Sequence, residues 1–199
     1  METSTFSPEY WDERYLTDNF PWDLGKPSNP LIRFLETLQD KSLRILIPGG
    51  GGGHELNWLL DRGFHQVTLL DWSLESMNRL RNTYPHIPDD KLVYNNFFDH
   101  NQIYDLIIEQ TFFCALMPVE RSRYVKKVKE LLAPEGLLAG VLFSFPLTEK
   151  GPPFGGDPNS YKTLFEEEGF RIEKLIPCEY SEPPRAGKEI WIEAYPKYL

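Results

Sequence analysis

Only two cysteines occur in the 199 residues, Cys114 and Cys178. That is too few for a disulfide framework, and they lack the paired spacing that gathers thiolates around zinc. Basic residues are scarce against acidic ones, 21 Lys and Arg to 30 Asp and Glu, which leaves a formal charge of -9. Neither duplex nucleic acid nor an anionic membrane finds a basic face to meet here, so no nucleic-acid or membrane partner is expected. No apolar run approaches bilayer-spanning length, no internal repeat is present, and the chain shows no charged-then-apolar leader. A reducing, cytoplasmic setting is therefore expected. Also missing is a Ser/His/Asp set, so no covalent nucleophile, dedicated base or metal site is predicted. What remains is a composition that is 41% hydrophobic and 26% charged, ordinary for a globular chain with room for one sizeable core.

Glycine, by contrast, is concentrated. Five follow one another from Gly49 to Gly53, after the apolar stretch Leu43-Arg44-Ile45-Leu46-Ile47-Pro48 and before His54-Glu55-Leu56-Asn57-Trp58-Leu59-Leu60. A strand turning into a helix is where nucleotide-like cofactors bind, because glycine adopts positive φ, admits a ligand to the backbone and leaves helix-start amides free to donate. A second apolar strand, Gln66 to Asp71, ends in a carboxylate about 20 residues beyond the glycines, the layout in which that carboxylate accepts hydrogen bonds from ribose hydroxyls. The spacing reads Gly49-x-Gly51-x-Gly53, with His54 where a dinucleotide pattern wants its last glycine. An NAD(P)-dependent oxidoreductase is thus disfavoured and stays an alternative, as does a non-catalytic binding protein on the same scaffold.

The rest of the chain alternates strand and helix. Strands are predicted at 43–47, 66–71, 92–95, 104–109, 136–145, 170–176 and 188–195. Helices are predicted at 8–15, 31–38, from the glycines to Gly63, and at 74–82, 118–132 and 161–169. Near-continuous apolar strands such as Leu137-Leu138-Ala139-Gly140-Val141-Leu142-Phe143 suit a parallel sheet covered on both faces. The expected fold is α/β, a Rossmann-like, doubly wound, seven-stranded sheet ending in an antiparallel strand pair. It forms one domain over residues 1–199, with 1–30 as an N-terminal helical, aromatic cover segment and 31–199 as the core. That ending suits a mononucleoside cofactor better than a dinucleotide, and S-adenosyl-L-methionine fits. Asp71 would take the ribose, glycine backbone would approach the amino-acid portion, and Asn96-Phe97 would contact adenine.

Several segments are more specific than the glycines. Glu9-Tyr10-Trp11-Asp12-Glu13-Arg14-Tyr15, Pro21-Trp22-Asp23, Thr111-Phe112-Phe113-Cys114-Ala115-Leu116, Gly151-Pro152-Pro153-Phe154 and Arg185-Ala186-Gly187-Lys188-Glu189-Ile190-Trp191 together resemble the thiopurine S-methyltransferase family with its thiol and halide branch. The resemblance spans nearly the whole chain. It implies a class I fold and S-adenosylmethionine-dependent methyl transfer to a small soft nucleophile, a thiol, thiopurine, halide or thiocyanate, beneath an N-terminal cover. By position it implies cofactor-side roles for Trp11, Tyr15, Trp22, Gly49, Asp71, Asn96, Phe97 and Gln110; Gly51 is also predicted to bind the cofactor, and Trp22, Phe112 and Arg185 to line the substrate side. The chain departs from the family pattern in its all-glycine turn, in Asn96 where relatives often carry an acid, and in Gln110 where they carry Arg or Tyr.

Blander roles stand beside these. Asp71 can cap the helix that follows it, Asn96-Phe97 can be turn and core, and the N-terminal aromatics can anchor a surface segment. His54 is expected to be solvated or locally bonded and Cys114 to be a small buried hydrophobe, while Arg185 and Lys188 either attract an anionic substrate or are exposed strand-end charges.

Overall fold

The computed structural model describes residues 6–198. Seven strands, β1 (Ile45–Pro48), β2 (Val67–Asp71), β3 (Leu92–Tyr94), β4 (Tyr104–Gln110), β5 (Leu132–Phe143), β6 (Phe170–Pro177) and β7 (Glu189–Pro196), form one sheet in the order β3-β2-β1-β4-β5-β7-β6. The first five are parallel, and β7 runs antiparallel between β5 and β6. Among the described residues there are six α-helices, α1 (Pro8–Leu16), α2 (Asn29–Leu35), α3 (His54–Asp61), α4 (Leu74–Thr83), α5 (Arg121–Leu131) and α6 (Pro158–Glu167). Among the described residues no helix is long and apolar enough to cross a membrane.

Side chains alternate across each strand, so neighbouring residues of one apolar run serve two cores. Leu46 and Ile107 face Tyr124, Val125 and Val128 of α5 and Phe165 of α6. Ile45, Ile47, Leu106 and Ile108 face Leu31 and Leu35 of α2, Leu56 and Leu59 of α3 and Leu80 of α4. Each such side chain contributes about 1.5–3 kcal/mol by leaving water. Because β1 lies between β2 and β4, the loops leaving β1 and β4 diverge and open a crevice at the carboxyl edge of the sheet.

Boundaries differ from expectation in several places, two of which have a clear local cause. The helix predicted to end at Leu132 stops at Leu131, and β5 begins at Leu132 rather than Gly136. Its pairing with β4 jumps from Tyr104↔Leu132 to Leu106↔Leu137, so an irregularity absorbs Ala133 to Gly136. The helix predicted over 31–38 occupies Asn29–Leu35, started by Ser28 and Pro30, since proline fits a first turn where no amide bond is lost.

The N-terminal helix does not float. Asp12 Oδ1 accepts from Ser73 Oγ at 2.7 Å and from the Glu75 amide at 3.1 Å, while Ser73 Oγ accepts from the Ser76 amide at 3.1 Å. The α1 carboxylate thereby satisfies the Glu75 amide and the Ser73 hydroxyl satisfies the Ser76 amide, two orphan donors at the positive end of α4.

Candidate functional site

The glycine turn is a cradle in which side chains have no room. Gly49, Gly51 and Gly53 have φ of 59°, 50° and 73°. A Cβ at Gly49 would lie 2.4 Å from Cδ2 of Phe112, and one at Gly51 would lie 3.1 Å from the Tyr15 hydroxyl. The turn is therefore closed over by the cover segment on one side and by the loop after β4 on the other.

Two lobes meet at this turn. The larger, about 340 Å³, is walled mainly by aromatic side chains, Trp11, Tyr15, Trp22, Phe97 and Phe112 among them, and Gly49, Asp71, Asn96 and Arg185 also line it. The smaller, about 50 Å³, is lined by Gly49, Gly51, His54 and Gln110, and shares Trp22, Gly49 and Thr111 with the first. All eleven residues singled out from the sequence line one lobe or the other, counting Trp22 once, with Gly51 and Gln110 only in the smaller.

Asp71 is 8% exposed and already bonded. Its Oδ2 accepts from the Gly51 amide at 3.0 Å and from Ser76 Oγ at 3.3 Å, and its Oδ1 accepts from the Ser73 amide at 2.9 Å. Burial pushes the carboxyl up, and the Ser73 and Gly51 amides pull against that. A carboxylate has about four acceptor directions, so one remains for a ligand beyond these three bonds. Gln110 is the opposite case: both polar atoms of its side chain are buried and have no hydrogen-bond partner among the described residues. Leaving a buried amide unpaired costs about 1–3 kcal/mol per group, which marks the place where a ligand's polar groups belong.

Asn96 is partly committed locally, its Oδ1 accepting from the Phe98 amide at 2.9 Å, and Phe97 stacks on Tyr124 at 5.4 Å as part of the core. Both nonetheless face the larger lobe. Arg185, for which the sequence left an anion-attracting role and an exposed strand-end charge both open, is 9% exposed; its Nη2 donates to the Trp22 carbonyl at 2.7 Å and its Nη1 lacks a hydrogen-bond partner among the described residues, with Glu189 Oε1 at 3.6 Å. The bond to the cover segment spans 163 residues of sequence. Lys188 stays exposed, reaching the Pro184 carbonyl.

The cover is an aromatic cluster centred on Trp22. Its ring meets Trp11 and Tyr15 edge-on at 5.5 and 5.8 Å, its Nε1 donates to the Tyr15 hydroxyl at 3.4 Å, and the Arg14 guanidinium lies 5.1 Å from its centroid. Sequence reasoning missed the tie that holds it. His54 Nε2 is 2.8 Å from Asp23 Oδ1, and His54 Nδ1 is 2.8 Å from the Tyr84 hydroxyl. The available signal was the pairing of Pro21-Trp22-Asp23 with a helix-start histidine, which no local pattern joins. Farther along, Glu55 accepts from the Ser28 amide and Glu182 pairs with Lys26, fixing the segment that leads into α2.

The profile of the family described as thiopurine S-methyltransferase (TPMT) matches residues 6–195. The chain belongs to that family. It is a methyltransferase of soft nucleophiles, and S-adenosylmethionine is its cofactor. It is 29% identical to probable thiol methyltransferase 2 of Arabidopsis thaliana, over 90% of this chain and 81% of that one. It is 28% identical to thiocyanate methyltransferase 1 of Brassica oleracea, over 94% and 87% of the two chains. Among solved structures, a SAM-dependent methyltransferase from Aquifex aeolicus superposes with a TM-score of 0.69 at 15% identity, covering 94% of this chain and 98% of that one, a likeness of fold.

The residues present fit that cofactor. The orphaned Gln110 amide and the glycine cradle suit the polar amino-acid end, and the aromatic walls suit an adenosyl group and a sulfonium.

Proposed function

We propose that the acceptor is a small anionic soft nucleophile, a thiolate, thiocyanate or halide, bound in the larger lobe between Trp22, Phe112 and Arg185. The observation that carries this reading is Arg185: a buried guanidinium lining a cavity walled largely by apolar rings, its Nη1 3.6 Å from Glu189 Oε1 and without a hydrogen-bond partner among the described residues. A cation so placed stabilises an incoming anion that water no longer solvates.

When bound, S-adenosylmethionine supplies a methyl carbon on a cationic sulfur, and an in-line displacement gives the methylated acceptor and S-adenosylhomocysteine. The protein's work is positioning. Asp71 would hold a ribose hydroxyl through its remaining acceptor direction, Gln110 beside the Gly49–Gly53 turn would hold the amino-acid end, and Asn96 and Phe97 would border the adenine. Trp11, Tyr15 and Trp22 exclude water and present ring faces to positive charge, worth about 0.5–2 kcal/mol at such a site. An ionised soft acceptor needs no base, and none is assigned. Residues 1–30 serve as the cover and 31–199 as the core of a single domain; residues 1–5 and Leu199 lie outside the described residues. A cytoplasmic setting is part of the same proposal, supported by the free thiols of Cys114 and Cys178.

A panel of thiols, thiopurines, iodide and thiocyanate, read by formation of S-adenosylhomocysteine, tests the reading. Turnover of anionic acceptors, with KM raised in Arg185→Met, is the expected result. Turnover confined to neutral amines or alcohols would sink it.

A further inference from the structure

One buried acid has no part in the roles assigned above. Glu109, in β4 just before Gln110, is fully buried. Its Oε1 accepts from the amides of Phe112 and Phe113, each at 2.8 Å, and its Oε2 accepts from the Tyr124 hydroxyl at 2.6 Å. Those two amides belong to the turn that leaves β4, where Thr111 has a φ of 60°, an uncommon conformation for a side-chain-bearing residue and one that persists only when its surroundings hold it. The same turn sets Phe112 against Gly49, at the contact that closes the cradle.

We propose that Glu109 is a positioning residue for methyl transfer: its ionised carboxylate pins the Thr111–Phe113 turn, and with it Phe112 against the glycine cradle, and loosens that hold when it takes up a proton. The proposal rests on the cofactor assignment above. An ionised carboxylate only accepts, which matches three converging donors. A proton on Oε2 would have to be donated to the Tyr124 oxygen, turning the tyrosine proton away from its acceptor inside a core where Tyr124 is itself fully buried.

The neighbours leave this balance to Glu109. Burial raises its carboxyl to about 7, opposed by the Tyr124 hydroxyl and the two amides, and no ion pair among the described residues includes it. Tyr124, from α5, and Cys114, from the turn, are the titratable groups set against it, and burial pushes both up, away from neutral pH. Arg121 of α5 is engaged elsewhere, lying over Phe113 and donating to the Phe154 and Gly155 carbonyls. Across the strand pair, β5 meets Glu109 with Gly140.

The test uses S-adenosylhomocysteine as the probe and needs no turnover. Infrared difference spectra of the ligand-free protein should show a buried carboxylic-acid band that titrates near 7 and disappears in Glu109→Gln. Calorimetry across about pH 5.5 to 8.5 should show affinity at least about threefold weaker at the acid end, a dependence reduced or absent in Glu109→Gln. Tyr124→Phe, which removes one lowering bond and keeps both backbone bonds, should shift the band and the affinity midpoint to higher pH. It also carries the test if the glutamine variant does not fold. Absence of the band, or a pH dependence of binding identical in all three proteins, overturns the positioning role while leaving the cofactor assignment intact. Failure of the wild type to bind the probe at about pH 8.5 overturns the cofactor assignment, and the proposal with it.

Discussion

His54 Nε2 lies 2.8 Å from Asp23 Oδ1, so the first residue of α3 holds the segment that carries Trp22. The Asp23 hydrogen bond raises the His54 pKa against the pull of burial. Burial works to raise Asp23, but the bonds from His54 and the Gly25 amide outweigh it and its carboxyl is lowered. His54→Ala should therefore lower stability by about 1–3 kcal/mol. The charged-imidazole contribution is full below the histidine's ordinary value of 6.5 and fades as pH rises through the raised folded value. At the acid end the aspartate's contribution, present above 3.8, is lost as pH falls through its lowered folded value. The neutral tautomer with its proton on Nε2 keeps the hydrogen bond, so only the charge-assisted part should vanish. The difference in Tm between wild type and variant, followed from mildly acidic to mildly alkaline pH, checks this; a difference that grows above neutrality contradicts it.

Gln110→Leu should do two things of opposite sign. It removes a buried amide with no partner, so the ligand-free protein should gain stability, and it removes the donor and acceptor offered to the cofactor, so affinity should fall by about 1–3 kcal/mol. Thermal melts with and without S-adenosylmethionine measure both at once. A variant that binds as tightly as the wild type would remove Gln110 from the site.

Asp71→Asn should weaken S-adenosylmethionine binding by about 1–3 kcal/mol. It should also lower the ligand-free Tm, because the carboxylate accepts from Gly51, Ser73 and Ser76 before any ligand arrives. Calorimetric titration alongside an unliganded melt separates the two effects.

Gly49→Ala and Gly25→Ala both place a side chain at positive φ, which costs about 1–2 kcal/mol. A Cβ at Gly25 meets nothing, whereas one at Gly49 meets Phe112 at 2.4 Å. The first variant should lose clearly more stability, and cofactor affinity besides. Equal losses on denaturant titration would show that Phe112 moves aside freely.

Trp22→Ala should slow acceptor turnover by opening the acceptor's wall to water, and the lost cation–π face, about 0.5–2 kcal/mol, should weaken cofactor binding by about 2- to 30-fold. Its carbonyl bond to Arg185 is backbone and survives the change. Normal kinetics across several acceptors would take its ring out of the site.

The order of strands and helices, the glycine turn and the carboxylate after β2 were legible in the chain because each is written in a local period or a short fixed spacing. The motif segments carried the family with them. By itself the sequence thus determined the fold class, the carboxyl-edge location of the site and the kind of cofactor. Tertiary structure alone decided that Arg185 is buried beneath Trp22, that Asp23 finds His54, that Gln110 has no partner and that Glu109 pins the turn beside Phe112. Burial and hydrogen-bond satisfaction are properties of what surrounds a group in space. These surroundings come largely from elements far apart in the chain, so a residue's type fixes what it can donate or accept, and packing fixes whether anything answers.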